Sequence, residues 1–133
     1  MGKINLEINN LTPSRIDKKF LKKIAGRVSK LVKFKIPELS VVIVSGARMK
    51  SLNRKYRGRN RVTDVLAFDY GEIILCLSQA KKQAKKLSHS LKKELAILLI
   101  HGILHLVGYN DKTKRNYNKM VKKEEEICQK LIL

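Results

Sequence analysis

A chain of 133 residues, 44% of them hydrophobic, is the size of one domain and has the apolar side chains for a real core, which excludes a disordered tail. No apolar run reaches the roughly 18 residues that span a bilayer, which excludes a membrane helix. The charge balance is extreme, 30 Lys and Arg against 11 Asp and Glu for a net +19: such a surface attracts polyanions, although abundant lysine, isoleucine and asparagine leave a compositional origin open.

In chain order, residues 3–9 alternate Ile4, Leu6 and Ile8 with polar neighbours and predict a half-buried first strand. After a turn at residues 10–13, Thr12 and Pro13 supply a cap and a first-turn proline. Ile16, Phe20, Leu21, Ile24, Val28 and Leu31 then recur at helical spacing, predicting an amphipathic helix to about Val32 with its cations outside. Residues 39–44 are rich in β-branched side chains and predict a second strand buried on both faces. Ser45-Gly46 turns the chain into a short helix over residues 47–56, with Met49, Leu52 and Tyr56 inward and Arg48, Lys50, Arg54 and Lys55 outward. The stretch Arg54-Lys55-Tyr56-Arg57-Gly-Arg59-Asn-Arg61 surrounds one aromatic with five basic residues. That mixture suits RNA, with cations on phosphates and a ring on an unpaired base, but Tyr56 reads more simply as core.

Thr63-Asp64 braces the turn into a third strand at residues 65–68. For Asp64 a structural hydrogen-bonding role is preferred over that of a second catalytic carboxylate. Asp69-Tyr70-Gly71 closes a hairpin to a fourth strand at residues 72–77, whose edge Glu72 fixes. Ser78 is the expected cap of a lysine-rich helix running to about Leu87. Residues 88–90 break it, with His89 expected to be exposed and without a partner. Residues 91–107 predict a central helix apolar on all sides and therefore buried. Thr113 opens a last amphipathic helix to about Leu131, in which Glu124-Glu125-Glu126 is the one dense acidic patch. No repeat or linker divides residues 1–133, so a single domain is expected. The element order predicts an α+β fold: a small four-stranded mixed sheet packed against helices, with the buried central helix carrying the most informative motif.

That motif is His101-Gly-Ile-Leu-His105-Leu-Val-Gly108-Tyr-Asn-Asp111. Two of the three histidines stand four residues apart, on one face of a helix, where both imidazoles can grip one cation. Gly108 ends the helix in a left-handed turn, so Asp111 can approach as a third ligand. Zinc hydrolases with an H-E-x-x-H helix use this plan, but their water-activating glutamate is replaced here by Gly102, which cannot act as a base. Three protein ligands leave a coordination position open, as in catalytic zinc sites. A carboxylate ligand lowers the charge of the centre and tilts preference toward harder cations, so one divalent metal is expected, zinc first. Two core histidines satisfied by hydrogen bonds are the bland alternative.

The block H-G-x-L-H-L-x-G-Y followed by a third ligand resembles the YbeY family of bacterial endoribonucleases. So do Leu52-Asn-x-x-Tyr56-Arg57-Gly58, Thr63-Asp64-Val65-Leu66-Ala67-Phe68 and Gly71-Glu72-Ile73, in that order. The chain departs from the pattern in having Asn110-Asp111 where the family has aspartate then histidine, in Gly71-Glu72 for glycine-aspartate, and in a shorter loop between Phe68 and Gly71. The resemblance implies a single-strand-specific endoribonuclease of rRNA maturation and ribosome quality control, with ribosomal RNA and the ribosome or its proteins as partners and no DNA. It also implies that Arg57 is a catalytic residue near the metal, where it could clamp the scissile phosphate. The basic stretch itself offers Arg54, Lys55, Arg57, Arg59 and Arg61 as RNA contacts. No side chain of the motif is an evident general base. The runner-up reading is a non-catalytic RNA-binding assembly factor with a weakened or structural metal; a metallopeptidase stands third. Cys76 and Cys128 form no C-x-x-C pair and read as reduced, buried hydrophobes. With no signal-peptide pattern at the first residues, a soluble cytoplasmic protein is expected.

Overall fold

The computed structural model describes residues 5–35, 37–58, 63–131 and 133. Its elements are β1 (Asn5–Asn10), α1 (Lys18–Leu31), β2 (Glu38–Val44), α2 (Gly46–Arg57), β3 (Val65–Phe68), β4 (Glu72–Cys76), α3 (Leu77–Lys86), α4 (Leu91–Leu106) and α5 (Lys114–Leu131). The fold is α+β, as the element order predicts.

Strand order is β1-β2-β4-β3, with β1, β2 and β4 mutually parallel and β3 antiparallel to β4. Parallel neighbours need crossovers, so α1 bridges β1 to β2. The β3–β4 hairpin folds back to place β4 in the middle. Alternation in the inner strands then serves two layers. Leu39, Val41, Ile43, Ile73 and Leu75 face the main core with α1 and α4, while Val44, Ile74 and Cys76 face a smaller core under Met49 of α2. β2 is therefore covered on both faces, as its composition predicts.

Four local expectations are corrected. Thr12 does not cap α1: its backbone N–H and hydroxyl both donate to Asn10 Oδ1, at 3.0 and 2.6 Å, locking it into a turn. The cap is Asp17, which accepts from the Phe20 N–H at 3.0 Å. Ser78 does not cap α3 either, because that helix starts directly from β4 and Ser78 already lies inside its first turn. His89 is half-buried and hydrogen-bonded to Glu94 Oε1 at 2.5 Å, since Glu94 is only 2% exposed and a buried carboxylate needs a partner. Tyr56 is not core: it is 53% exposed. Among the cysteines, Cys76 is buried and Cys128 half-buried, both free. The last two helices have side-chain caps at their starts. Ser90 accepts from Lys93 N–H at 3.0 Å and Thr113 from Asn116 N–H at 3.1 Å.

The central helix α4 buries Leu95, Ala96, Leu98, Leu99, Ile100, Ile103 and Leu104. It presses hard on the sheet at Gly102, where an added Cβ would lie 2.8 Å from Ile73 Cγ2. Among the described residues, no helix is long and apolar enough to cross a membrane.

Candidate active site

The site begins where α4 stops. Val107 is the C-cap, Gly108 follows with φ +106, the Gly108 N–H donates to His105 O at 3.1 Å and the Tyr109 N–H to Leu104 O at 3.0 Å. This pair of bonds is a Schellman turn, which needs a glycine at the left-handed position. After it, residues 109–111 line the same cleft as His105.

His101 and His105 meet on one face of α4, with Nε2 atoms 3.0 Å apart and ring centroids 4.6 Å apart. On the other side of its ring, His101 Nδ1 hydrogen-bonds to Glu124 Oε1 of α5. For His101, burial is the largest influence and lowers the pKa, yet the hydrogen bond and charge of Glu124 outweigh it and hold the imidazole above its ordinary value. His105 is lowered, by burial first and by the adjacent His101 second.

His105 and Asp111 open onto a cleft of about 870 Å³. The far wall is β3 and the last turns of α2, which contribute Asn53, Arg57, Ala67 and Phe68. Arg57 is steadied there by a 3.3 Å hydrogen bond from Nη2 to the Ala67 carbonyl. It leaves most of its guanidinium free to meet an anion. Asn53 and Arg57 share a helix face by their spacing of four. Arg54 and Lys55 are exposed on α2. Arg59 and Arg61 lie outside the described residues. Asp64 is a brace: Gln83 Nε2 donates to its carboxylate at 3.1 Å and Cys76 N–H to its carbonyl at 2.9 Å.

Two imidazole nitrogens converging at 3.0 Å suit a divalent cation, and the carboxylate on the far nitrogen of one is the usual support for such a ligand. The third donor is not drawn in: Asp111 is exposed on the same cleft, and no three His, Cys, Asp or Glu among the described residues stand close enough to hold a metal. Sequence reasoning missed two residues here. Glu124 sits in an acidic run whose partner only tertiary contact reveals. Asn53 is buried at 3% exposure, and its signal was a polar residue interrupting the Met49–Leu52–Tyr56 stripe of α2.

Comparisons with known proteins place the chain in a family. A family model described as Endoribonuclease YbeY matches residues 5–132. The Endoribonuclease YbeY of Helicobacter pylori (strain P12) is 42% identical over 113 residues, covering 79% of this chain and 77% of that protein. That of Endomicrobium trichonymphae is 35% identical over 133 residues, covering 96% and 94%. The solution structure of TM1509 from Thermotoga maritima superposes with a TM-score of 0.63 at 32% identity, covering 95% of this chain and 91% of that one. An α+β scaffold with a histidine pair, of which His105 lines one cleft with Arg57, joined to these matches, defines a hydrolase of the nuclease class. The chain belongs to the YbeY family.

Proposed function

We propose that this chain is a cytoplasmic, metal-dependent endoribonuclease specific for single strands. It works in rRNA maturation, at the 3′ end of the small-subunit RNA, and in ribosome quality control. RNA cleavage is supported by the names of the relatives, and the ribosomal setting by the family resemblance. The observation that carries the mechanism is the convergence of His101 and His105 Nε2, with His105 lining the same cleft as Arg57.

In this reading His101, His105 and Asp111 hold one divalent cation, for which zinc suits two imidazoles and a carboxylate. When bound, the cation supplies Lewis acidity at the scissile phosphate. Glu124 keeps the His101 proton on Nδ1 and leaves Nε2 bare as a donor. Arg57 clamps two phosphoryl oxygens and neutralises the charge that grows on them in the transition state. Arg54 and Lys55, with Arg59 and Arg61, draw in the RNA backbone. A peptidase is disfavoured for a steric reason as well as a chemical one, since a glutamate at position 102 would drive its Cβ into Ile73.

The test is metal analysis of protein purified without chelator or histidine tag, in wild type and Asp111→Ala, followed by RNA cleavage. Near-stoichiometric zinc that drops in the variant, with metal-dependent cutting, is the expected result. An empty wild-type site, or one indifferent to Asp111, with RNA retained but never cut, would favour the non-catalytic assembly factor.

A further inference from the structure

Three rings stand in contact in a row whose middle member is in the cleft. Phe68, at the end of β3, lines the cleft itself. Tyr56 meets it edge-on with centroids 5.3 Å apart, and Tyr70 stacks with it at 5.7 Å and 18°. The chain has only four tyrosines, three phenylalanines and no tryptophan, so three of its seven aromatic rings occupy this one strip. The two outer rings are not hidden: Tyr56 is 53% and Tyr70 67% exposed. Nor are they loose. The Tyr70 hydroxyl donates to Glu72 Oε1 at 2.8 Å, and Lys55 Nζ lies over the Tyr56 ring at 5.2 Å.

We propose that Tyr56, Phe68 and Tyr70 form a stacking platform for unpaired nucleobases next to the scissile phosphate, and that this platform is what selects single strands. The inference rests on the nuclease reading above. A pre-fixed ring offers its face to a base with little entropy left to lose, and every base has a face to stack, so the contact tolerates sequence. Bases of a duplex are already stacked on their neighbours and cannot reach it. Charge sets the direction of the strand. Arg54, Lys55 and Arg57 flank the Tyr56 end, whereas Tyr70 shares its surroundings with Glu7, Glu38 and Glu72. The phosphate chain is therefore held on the α2 side, while the neutral bases lean across the rings toward Tyr70.

The experiment measures binding of a 2′-O-methyl single strand of about ten nucleotides, within the span such grooves cover, carrying one 2-aminopurine, with its integrity after incubation checked on a gel. The same strand with abasic positions, and a duplex, serve as controls. Tyr56→Ala and Tyr70→Ala are expected to weaken base-bearing binding by about tenfold and to reduce quenching of the 2-aminopurine. Tyr56→Leu and Tyr70→Leu, which keep apolar bulk but lack a flat face, should do the same. Tyr→Phe at either position should retain affinity, and the abasic strand should not distinguish any of the variants. If the Ala and Leu variants bind the base-bearing strand like a wild type that still cuts RNA, the platform is wrong and the nuclease reading stands. Equal losses on the abasic strand also overturn the platform, by placing the effect on backbone or folding. A wild type that neither binds nor cuts RNA removes both.

Discussion

Glu124 reaches from α5 to His101 Nδ1 on α4, a contact across 23 residues of chain that fixes which nitrogen of that imidazole carries the proton. The consequence is that Nε2, the atom facing His105, is the lone-pair side. Removing the carboxylate lets the ring turn and lets the proton move.

Metal affinity is therefore expected to fall about 10–100-fold in Glu124→Ala, the usual range for losing the support of a ligating histidine. Glu124→Gln, which can still accept from Nδ1 but without charge, should fall between. Competition with a coloured chelator measures this, and an unchanged affinity in Glu124→Ala would show that the contact is only structural.

Without metal, stability should peak near the ordinary histidine value of 6.5. Below it, the unfolded chain takes up a proton at position 105 that the folded protein refuses, because burial and the neighbouring His101 lower that imidazole, so stability falls as pH drops. Above it, the folded protein keeps a proton on His101 that the unfolded chain has released, so stability falls as pH rises through the raised value. Thermal melts of metal-free protein across this range test the shape, and Glu124→Gln should flatten the alkaline side.

Gly102→Ala sets two effects against each other. Alanine favours helix over glycine by up to about 1 kcal/mol, but the new Cβ would lie 2.8 Å from Ile73 Cγ2, and overpacking of this kind costs about 1–3 kcal/mol. The packing cost should win, with a net loss of about 1 kcal/mol seen in denaturant unfolding. Gly102→Glu should be far worse and should gain no peptidase activity on casein.

Arg57→Ala should lower kcat/KM for RNA cleavage by about 10²–10³-fold, the range for losing one donor to transition-state charge. Arg57→Lys should recover little, since an ammonium cannot clamp two oxygens at once. Circular dichroism should stay native in both, because Arg57 is exposed and its one structural bond is a 3.3 Å contact to Ala67 O. A lysine variant with wild-type rates would remove the bidentate role.

Local periodicity made most of the fold legible. The helices α4 and α5, the β3–β4 hairpin and the glycine reversal at 108 all follow from patterns within a few residues. Strand order was not legible in that way, because the insertion of β4 between β2 and β3 depends on parallel pairing between residues such as Ile43 and Leu75 that are far apart in the chain. Thr12 misled because Thr-Pro is a strong start signal, while the neighbouring Asn10 captured its hydroxyl instead. Tyr56 misled because it continues the apolar stripe of α2, which runs past the end of the small core it serves. His89 was read without Glu94, although the two are only five residues apart, because a break in the chain hides which way a side chain returns. The histidine pair and Arg57 were visible as residue types. That His105 and Arg57 line one cleft, and the hand of Glu124 on His101, required the tertiary structure.

Translation delivers the parts of this centre in a fixed order. Arg57 on α2 leaves the ribosome first and the histidines of α4 follow, but Glu124 arrives 23 residues after His101. At about 5–20 residues per second that is an interval of roughly 1–5 seconds. During that interval the nascent chain holds both imidazoles without the carboxylate that hydrogen-bonds to His101. Docking of α5 onto α4 therefore adds the carboxylate contact to His101 last, after Arg57 and both histidines have been made.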